Sequence, residues 1–170
     1  DVGIIGKPNA GKSTLLSKIS GATPKIADYP FTTLHPILGV IRQFDDELVL
    51  ADIPGLIEGA HEGKGLGDQF LAHIERCKIL LHILDCSDTQ IIDNYRTIHN
   101  ELKKYGKNLN QKKEIVALSK TDKMGDEIIK IKKSIEKESG KKPFLFSSFS
   151  EDGLNELKLF LFKECNSKHD

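Results

Sequence analysis

Residues Gly6-Lys-Pro-Asn-Ala-Gly-Lys-Ser13 directly follow the short apolar run Val2 to Ile5. A segment of the form G-x-x-x-x-G-K-[ST] between a strand and a helix constrains the fold more than any other feature of this chain. Gly6 and Gly11 let the backbone curl so that successive N–H groups point inward at a phosphate. Lys12 reaches the β- and γ-phosphates, and the Ser13 hydroxyl is placed to ligate Mg²⁺. Lys12 to Ser20 reads as a helix whose positive N-terminal end faces the same anion. The bland alternative is a glycine-rich turn capping a helix, and the complete pattern in this context outweighs it. The implied ligand is a nucleoside triphosphate.

Composition sets the frame for that site. A chain of 170 residues, 38% hydrophobic and 29% charged, has the size and make-up of one soluble domain. Its formal net charge is zero, so no global field draws it to nucleic acid or membrane. No apolar stretch approaches transmembrane length and no signal-peptide pattern is present, so the expected location is cytoplasmic. Cys77, Cys86 and Cys165 are scattered without C-x-x-C spacing, which argues against a disulfide framework or a zinc site. The sequence starts at Asp1 inside the first strand, without Met, and residues 1–170 are expected to be one domain of a longer polypeptide.

Apolar runs alternate with amphipathic stretches, the pattern of an α/β domain around a mostly parallel sheet with helices on both faces. Six strands are expected, at 2–6, 37–44, 47–52, 79–85, 114–118 and 143–147. Asp45-Asp46 looks like a hairpin turn, which makes one edge pair antiparallel. Helices fit 12–20, 66–77, 90–105, 126–139 and 152–164. The last has Ser150 or Asp152 as its N-cap and Leu154, Leu157, Phe160 and Leu161 as its buried stripe.

The phosphate loop alone does not choose among kinases, ATPases and GTPases. Leu48 to Ala51 is an apolar strand ending in the carboxylate of Asp52, followed by Ile53-Pro54-Gly55. An Asp at that strand end can hold Mg²⁺, and the Gly55 N–H can approach a γ-phosphate. A simple turn cap is the weaker reading of Asp52, given the glycine at the fourth position. Between the two motifs lies Tyr29-Pro-Phe-Thr-Thr-Leu-His-Pro36, too irregular for helix. A Thr in such a loop can complete a Mg²⁺ shell, and by chemistry alone either Thr32 or Thr33 serves.

At this point the sequence resembles the Obg GTPases, the ribosome-associated CgtA-type family. The resemblance spans nearly the whole chain and is most specific at Gly6 to Ser13, at Tyr29-Pro-Phe-Thr-Thr-Leu34 and at Asp52-Ile-Pro-Gly-Leu-Ile-Glu-Gly-Ala60. It continues through Gly63-Lys-Gly-Leu-Gly67 and Phe70-Leu-Ala-His-Ile-Glu-Arg-Cys77. It implies a Ras-like P-loop G domain, hydrolysis of GTP to GDP with Mg²⁺, and work on the rRNA and protein of the large ribosomal subunit in assembly and stress control. It also implies a glycine-rich N-terminal domain outside these residues and a monomeric isolated G domain. The resemblance names Thr33 as the Mg²⁺ ligand beside Ser13 and Asp52. It surrounds the nucleotide phosphates with Gly6, Lys7, Pro8, Asn9, Ala10, Gly11, Lys12, Ser13 and Thr14, then Phe31, Thr32, Thr33, Leu34 and His35, then Asp52, Ile53, Pro54 and Gly55.

Base recognition departs from the family pattern. Where the family has Asn-Lys-x-Asp, this chain has Ser119-Lys120-Thr121-Asp122. Asp122 can accept from guanine N1–H and N2–H₂, donors that adenine does not offer in that arrangement. Lys120 can lay its stem over the base plane. In the family the Asn bridges base edge and loop, so Ser119 is expected to weaken affinity. A second base contact is expected from Ser147-Ser148-Phe149, with the N–H of Ser148 or Phe149 donating to guanine O6.

Catalysis has an unusual feature. Ras-like enzymes orient the attacking water with a Gln directly after the Asp-x-x-Gly glycine, and here that residue is Leu56. The expected intrinsic rate is low, resting on electrostatic stabilisation by Lys12, Mg²⁺ and backbone donors including Gly55, with Thr33 completing the site. In related GTPases an Asn at the position of Asn9 helps bind K⁺ beside the β- and γ-phosphates. The bland reading of Asn9 is a residue that tolerates the loop's backbone. His61, in a Gly-rich loop, is a weak candidate base.

Other features take ordinary readings. His73 and His82 sit in apolar patterns as packing residues with satisfied nitrogens, and the three cysteines are packed or incidental. Lys130, Lys132, Lys133, Lys137, Lys141 and Lys142, mixed with Glu127, Glu136 and Glu138, form a solvated helix face, with RNA phosphate contact as the minority reading. Three functional classes follow: a GTP-hydrolysing switch, a nucleotide-gated ribosome-binding module with negligible hydrolysis, and a phosphotransferase. Arg42, Arg76 and Arg96 are too few to clamp a second phosphate group, which disfavours the third.

Overall fold

A computed structural model of the chain describes residues 1–7, 10–20, 24–26, 35–53, 72–105 and 109–166. The elements, in chain order, are β1 (Val2–Ile5), α1 (Lys12–Ile19), β2 (Lys25–Ile26), β3 (Ile37–Gln43) and β4 (Asp46–Asp52). They continue with β5 (Ile79–Asp85), α2 (Ile91–Tyr105), β6 (Lys113–Ser119), α3 (Glu127–Ser139), β7 (Phe144–Leu145) and α4 (Leu154–Asn166). All strands join one sheet in the order β2-β3-β4-β1-β5-β6-β7.

The centre of the sheet is parallel. β1 lies between β4 and β5, with Ile4 opposite Asp52 on one side and Leu81 on the other. β5, β6 and β7 continue in parallel, and β3 runs antiparallel to β4. Apolar runs such as Val2–Ile5 are buried on both faces, as a covered parallel sheet requires. Along β5, Leu81 and Ile83 face α1 and α4, with Leu15, Leu16, Leu157 and Leu161 buried against them. On the other face Leu80 meets Ile98 and Leu102 of α2, while Leu84 and Val116 meet Tyr95 of α2 and Ile135 of α3. Each fully buried aliphatic side chain contributes about 1.5–3 kcal/mol. The stripe of α4 is as expected, with Leu157 and Leu161 fully buried and Leu154 and Phe160 packed beside them.

Four local expectations are corrected. Among the described residues the sheet has seven strands rather than six, because the two-residue β2 pairs antiparallel with Ile37 and Leu38. Lys25 and Ile26 are too few to show a period. The hairpin turn is Phe44-Asp45, with Asp46 already paired to Gln43. The strand expected over 143–147 pairs only at Phe144 and Leu145, after which the chain turns toward the site. α4 starts at Leu154, and the Gly153 carbonyl accepts the first helical bond from Leu157 N–H, so neither Ser150 nor Asp152 is the cap. Those two side chains bond each other instead, Ser150 Oγ donating to Asp152 Oδ2 at 3.0 Å. Of the helix expected over 66–77, residues 72–75 are helical and 66–71 lie outside the described residues.

Among the described residues, no helix is long and apolar enough to cross a membrane.

Candidate functional site

Gly6, Asp52, Asp85 and Ser119 all stand at or just beyond the carboxyl ends of parallel-oriented strands, and β1 is where the connections diverge to either side. That crevice is where open α/β sheets bind ligands. Sheet geometry alone therefore brings together residues far apart in sequence.

The phosphate loop leaves β1 at Gly6, whose φ is 153°, and a Cβ there would sit 2.6 Å from the Ile83 carbonyl oxygen. Only glycine fits that approach to β5. Gly11 is left-handed, with φ 100° and ψ 21°, and leads into α1 with no side chain capping the helix. The first-turn N–H groups at Lys12, Ser13 and Thr14 have no intrahelical acceptor, which suits an anion.

Lys12 and Ser13 both turn to the end of β4. Lys12 Nζ donates to the Ile53 carbonyl at 3.2 Å and lies 3.2 Å from Asp52 Oδ1. Ser13 Oγ donates to Asp52 Oδ2 at 2.8 Å. Asp52 is buried, and its Oδ1, although ion-paired, accepts no well-aligned hydrogen bond from the described residues. A hydroxyl and a carboxylate so close, with one buried oxygen short of a donor, fit a hard cation such as Mg²⁺. Among the described residues no three His, Cys, Asp or Glu side chains form a metal cage of their own.

The second half of the site is built by β6 and the segment after β7. Ser119 is buried, and its Oγ donates to the Ala10 carbonyl at 2.6 Å, with the Leu84 carbonyl at 3.2 Å. A side-chain tie from this position to the phosphate loop is thus present, made by a hydroxyl. Lys120 adopts a left-handed conformation (φ 59°, ψ 36°), and its Nζ pairs with Asp85 Oδ2 at 2.8 Å. Asp122 Oδ1 accepts from Ser147 Oγ at 2.7 Å. Ser147 is fully buried; its N–H donates to the Asp152 carbonyl at 2.9 Å, and its Oγ accepts from Ser150 N–H at 3.1 Å. A cavity of about 230 Å³ opens here, lined by Gly11, Thr14, Ser119, Lys120, Asp122, Lys123, Ser148 and Phe149.

Asp85 was not anticipated from the sequence. Partial burial pushes its carboxyl up, but hydrogen bonds from Lys120 and Ser87 outweigh this and hold it below the ordinary carboxylate value. The available signal was an apolar run, Ile79 to Leu84, ending in an acid just as Leu48 to Ala51 ends in Asp52. Cys86, next along, is buried, and removal from water followed by the Asp85 charge pushes its thiol up to about 11. It is a packing residue, not a nucleophile.

His73 is buried, as expected. His82 is only half satisfied: Nδ1 lies 3.1 Å from Glu114 Oε1, while the buried Nε2 has no partner among the described residues. Glu114 also faces His99 Nδ1 at 3.9 Å and Lys141 Nζ at 3.7 Å. His35 is described and exposed, and Thr121 N–H donates to the Phe146 carbonyl at 3.4 Å. Pro8, Asn9, Phe31, Thr32, Thr33, Leu34, Pro54, Gly55, Leu56 and His61 lie outside the described residues.

The family model for 50S ribosome-binding GTPases matches residues 1–120. The chain belongs to that family. Membership places it in a class of domains that bind and hydrolyse GTP. Its fold, the Ras-like P-loop one, recurs in the cytosolic domain of the T. maritima FeoB iron transporter in a GDP form, at 20% identity and a TM-score of 0.76. That match covers 99% of this chain and 64% of the other. The isolated G domain of the same transporter matches at 19% identity and a TM-score of 0.74, covering 97% and 98%. A point mutant of S. thermophilus NFeoB bound to GDP matches at 17% identity and 0.69, covering 91% and 58%. At these identities the likeness is one of fold. The chain spans 64% of the length of the FeoB cytosolic domain.

Proposed function

We propose that this chain is the G domain of an Obg-type GTPase, a Mg²⁺-dependent switch that acts on the large ribosomal subunit in its assembly and in stress control. The observation that carries the reading is one crevice with two chemically distinct halves. Ser13 and Asp52 stand together at its phosphate end, and Asp122 stands at the mouth of a cavity at its base end. The Obg part rests on the motifs Tyr29 to Leu34 and Asp52 to Ala60. The family description, with its ribosome binding, supports the partner.

In this reading the loop from Gly6 to Thr14 holds the phosphates, Ser13, Asp52 and Thr33 hold Mg²⁺, and Asp122 reads guanine with Lys120 beside it. Mg²⁺, when bound, offsets charge on the β- and γ-phosphates. Lys12 neutralises the same oxygens, and Gly55 N–H meets the γ-phosphate. Water attacks the γ-phosphorus, the bond to the β–γ bridging oxygen breaks, and GDP leaves. Leu56 cannot orient that water, so basal turnover is slow. Asn9 would help hold K⁺, which would supply positive charge near the β- and γ-phosphates.

Single-turnover phosphate release, in K⁺ and in Na⁺ and with and without large ribosomal subunits, tests the proposal. The expected result is slow release that K⁺ accelerates and subunits accelerate further. Tight GTP-dependent subunit binding without release under any of these conditions would favour the second reading, a nucleotide-gated binding module, to which Leu56 points.

A further inference from the structure

We propose that the edge of β6 from Lys113 to Val116 is a docking site for an extended, acidic segment of a partner protein, which adds there as a further strand of the sheet. Lys113 begins β6 and Ser119 ends it, so this site lies at the opposite end of the sheet from the nucleotide crevice.

β7 pairs with β6 only at Ala117 and Leu118. Among the described residues, Lys113 to Val116 therefore have β5 on one side and no strand on the other. The Leu118 carbonyl accepts from Phe146 N–H on the β7 side, and backbone groups alternate in direction along a strand. The N–H groups of Val116 and Glu114, two and four residues back, thus point to the open side. An uncovered strand edge is a template for main-chain hydrogen bonds from an added strand.

A cavity of about 520 Å³ lies beside that edge. Its apolar wall is Ile115 with Phe144 and Phe160, whose ring centres are 4.6 Å apart. Lys112, Lys113, Lys141 and Lys142 line it against only Glu114 and Glu164. Lys113 pairs with Glu164, and Lys141 Nζ lies 3.7 Å from Glu114 Oε2, so these two carboxylates are already engaged and Lys142 stands exposed at the rim. Lysines on a strand edge keep like copies apart, because a second copy would bring lysine against lysine. The same excess of positive charge favours an acidic strand. Acidic and apolar residues in alternation give such a strand one face for Phe144 and Phe160 and carboxylates for the lysine rim.

The test titrates the protein into a fluorescein-labelled peptide of alternating Asp and Val, following anisotropy, and measures amide hydrogen exchange with and without the peptide. The peptide is expected to bind and to slow exchange at the Glu114 and Val116 N–H groups. Lys142→Glu is expected to weaken binding about tenfold with thermal stability unchanged. The same peptide N-methylated at every residue, or with Lys in place of Asp, is expected not to bind. Failure of the Asp–Val peptide to bind would overturn the proposal. So would binding that leaves exchange at Glu114 and Val116 unchanged, equal binding of the N-methylated peptide, or undiminished binding to Lys142→Glu. A single-stranded RNA that binds this edge more tightly than the peptide would overturn the protein partner in favour of nucleic acid.

Discussion

The Ser119 hydroxyl donates to the Ala10 carbonyl at 2.6 Å, joining the end of β6 to the phosphate loop across 109 residues of sequence. The base half and the phosphate half of the crevice are thereby one mechanical unit. Ser119→Ala removes a buried bond worth about 1.4 kcal/mol and frees the loop carbonyl, so GDP affinity should fall about tenfold by calorimetry. Ser119→Asn, which must fit a longer side chain into a position only 2% exposed, should bring no gain. Tighter binding in the Asn variant would show that the Ser tie is a poor substitute.

The pair Ser13 Oγ and Asp52 Oδ2 predicts where Mg²⁺ dependence resides. Ser13→Ala should cost about 1.5–3 kcal/mol of GTP affinity in Mg²⁺ and much less in EDTA, with thermal stability nearly unchanged. Equal affinity with and without Mg²⁺ in both proteins would remove Ser13 from the metal site. Lys12 is a less clean probe. Deleting it leaves the Asp52 carboxylate buried without its cation, which destabilises the fold as well as the site.

Asp85 carries a pH signature. Its folded value lies below the ordinary 3.8, because hydrogen bonds from Lys120 and Ser87 outweigh desolvation. A depressed carboxylate contributes stability that is fully present above the unfolded value and is lost as pH falls through the folded one. Asp85→Asn should therefore cost about 1 kcal/mol at pH 7, and the gap to wild type should close below pH 3.8. Urea titrations at several pH values measure it. A pH-independent gap would mean that the loss is one of packing.

His82 and Glu114 form a buried pair between β5 and β6, with Tyr95 stacked on His82 at 5.4 Å between ring centres. His82→Ala should cost about 3 kcal/mol in urea unfolding, since it leaves Glu114 with only the longer contacts to His99 and Lys141 and opens a void against Tyr95. GDP affinity should be unchanged. A parallel loss of GDP binding would tie this cluster to the site.

The phosphate loop, Asp52 and Asp122 were legible because each motif fixes a local backbone event: a strand end, a tight turn, or a helix start. The tie from Ser119 to the loop is not legible in the sequence, because reach depends on how closely β6 approaches the loop and no spacing along the chain encodes that distance. Asp85 was missed because its partner, Lys120, stands just past the end of the neighbouring strand. β2 was invisible because two residues carry no period, and the start of α4 moved because Ser150 and Asp152 satisfy each other instead of the helix.

Displacement of bound GDP by GDP, XDP and ADP, in wild type and in Asp122→Asn, tests the account most directly. A carboxylate at this position accepts from guanine N1–H and N2–H₂, whereas an amide also donates and matches the C2 carbonyl of xanthine. Wild type should release GDP to GDP and not to XDP or ADP, and Asp122→Asn should prefer XDP. Displacement of GDP by ADP as readily as by GDP, or a variant that still prefers GDP over XDP, would contradict it.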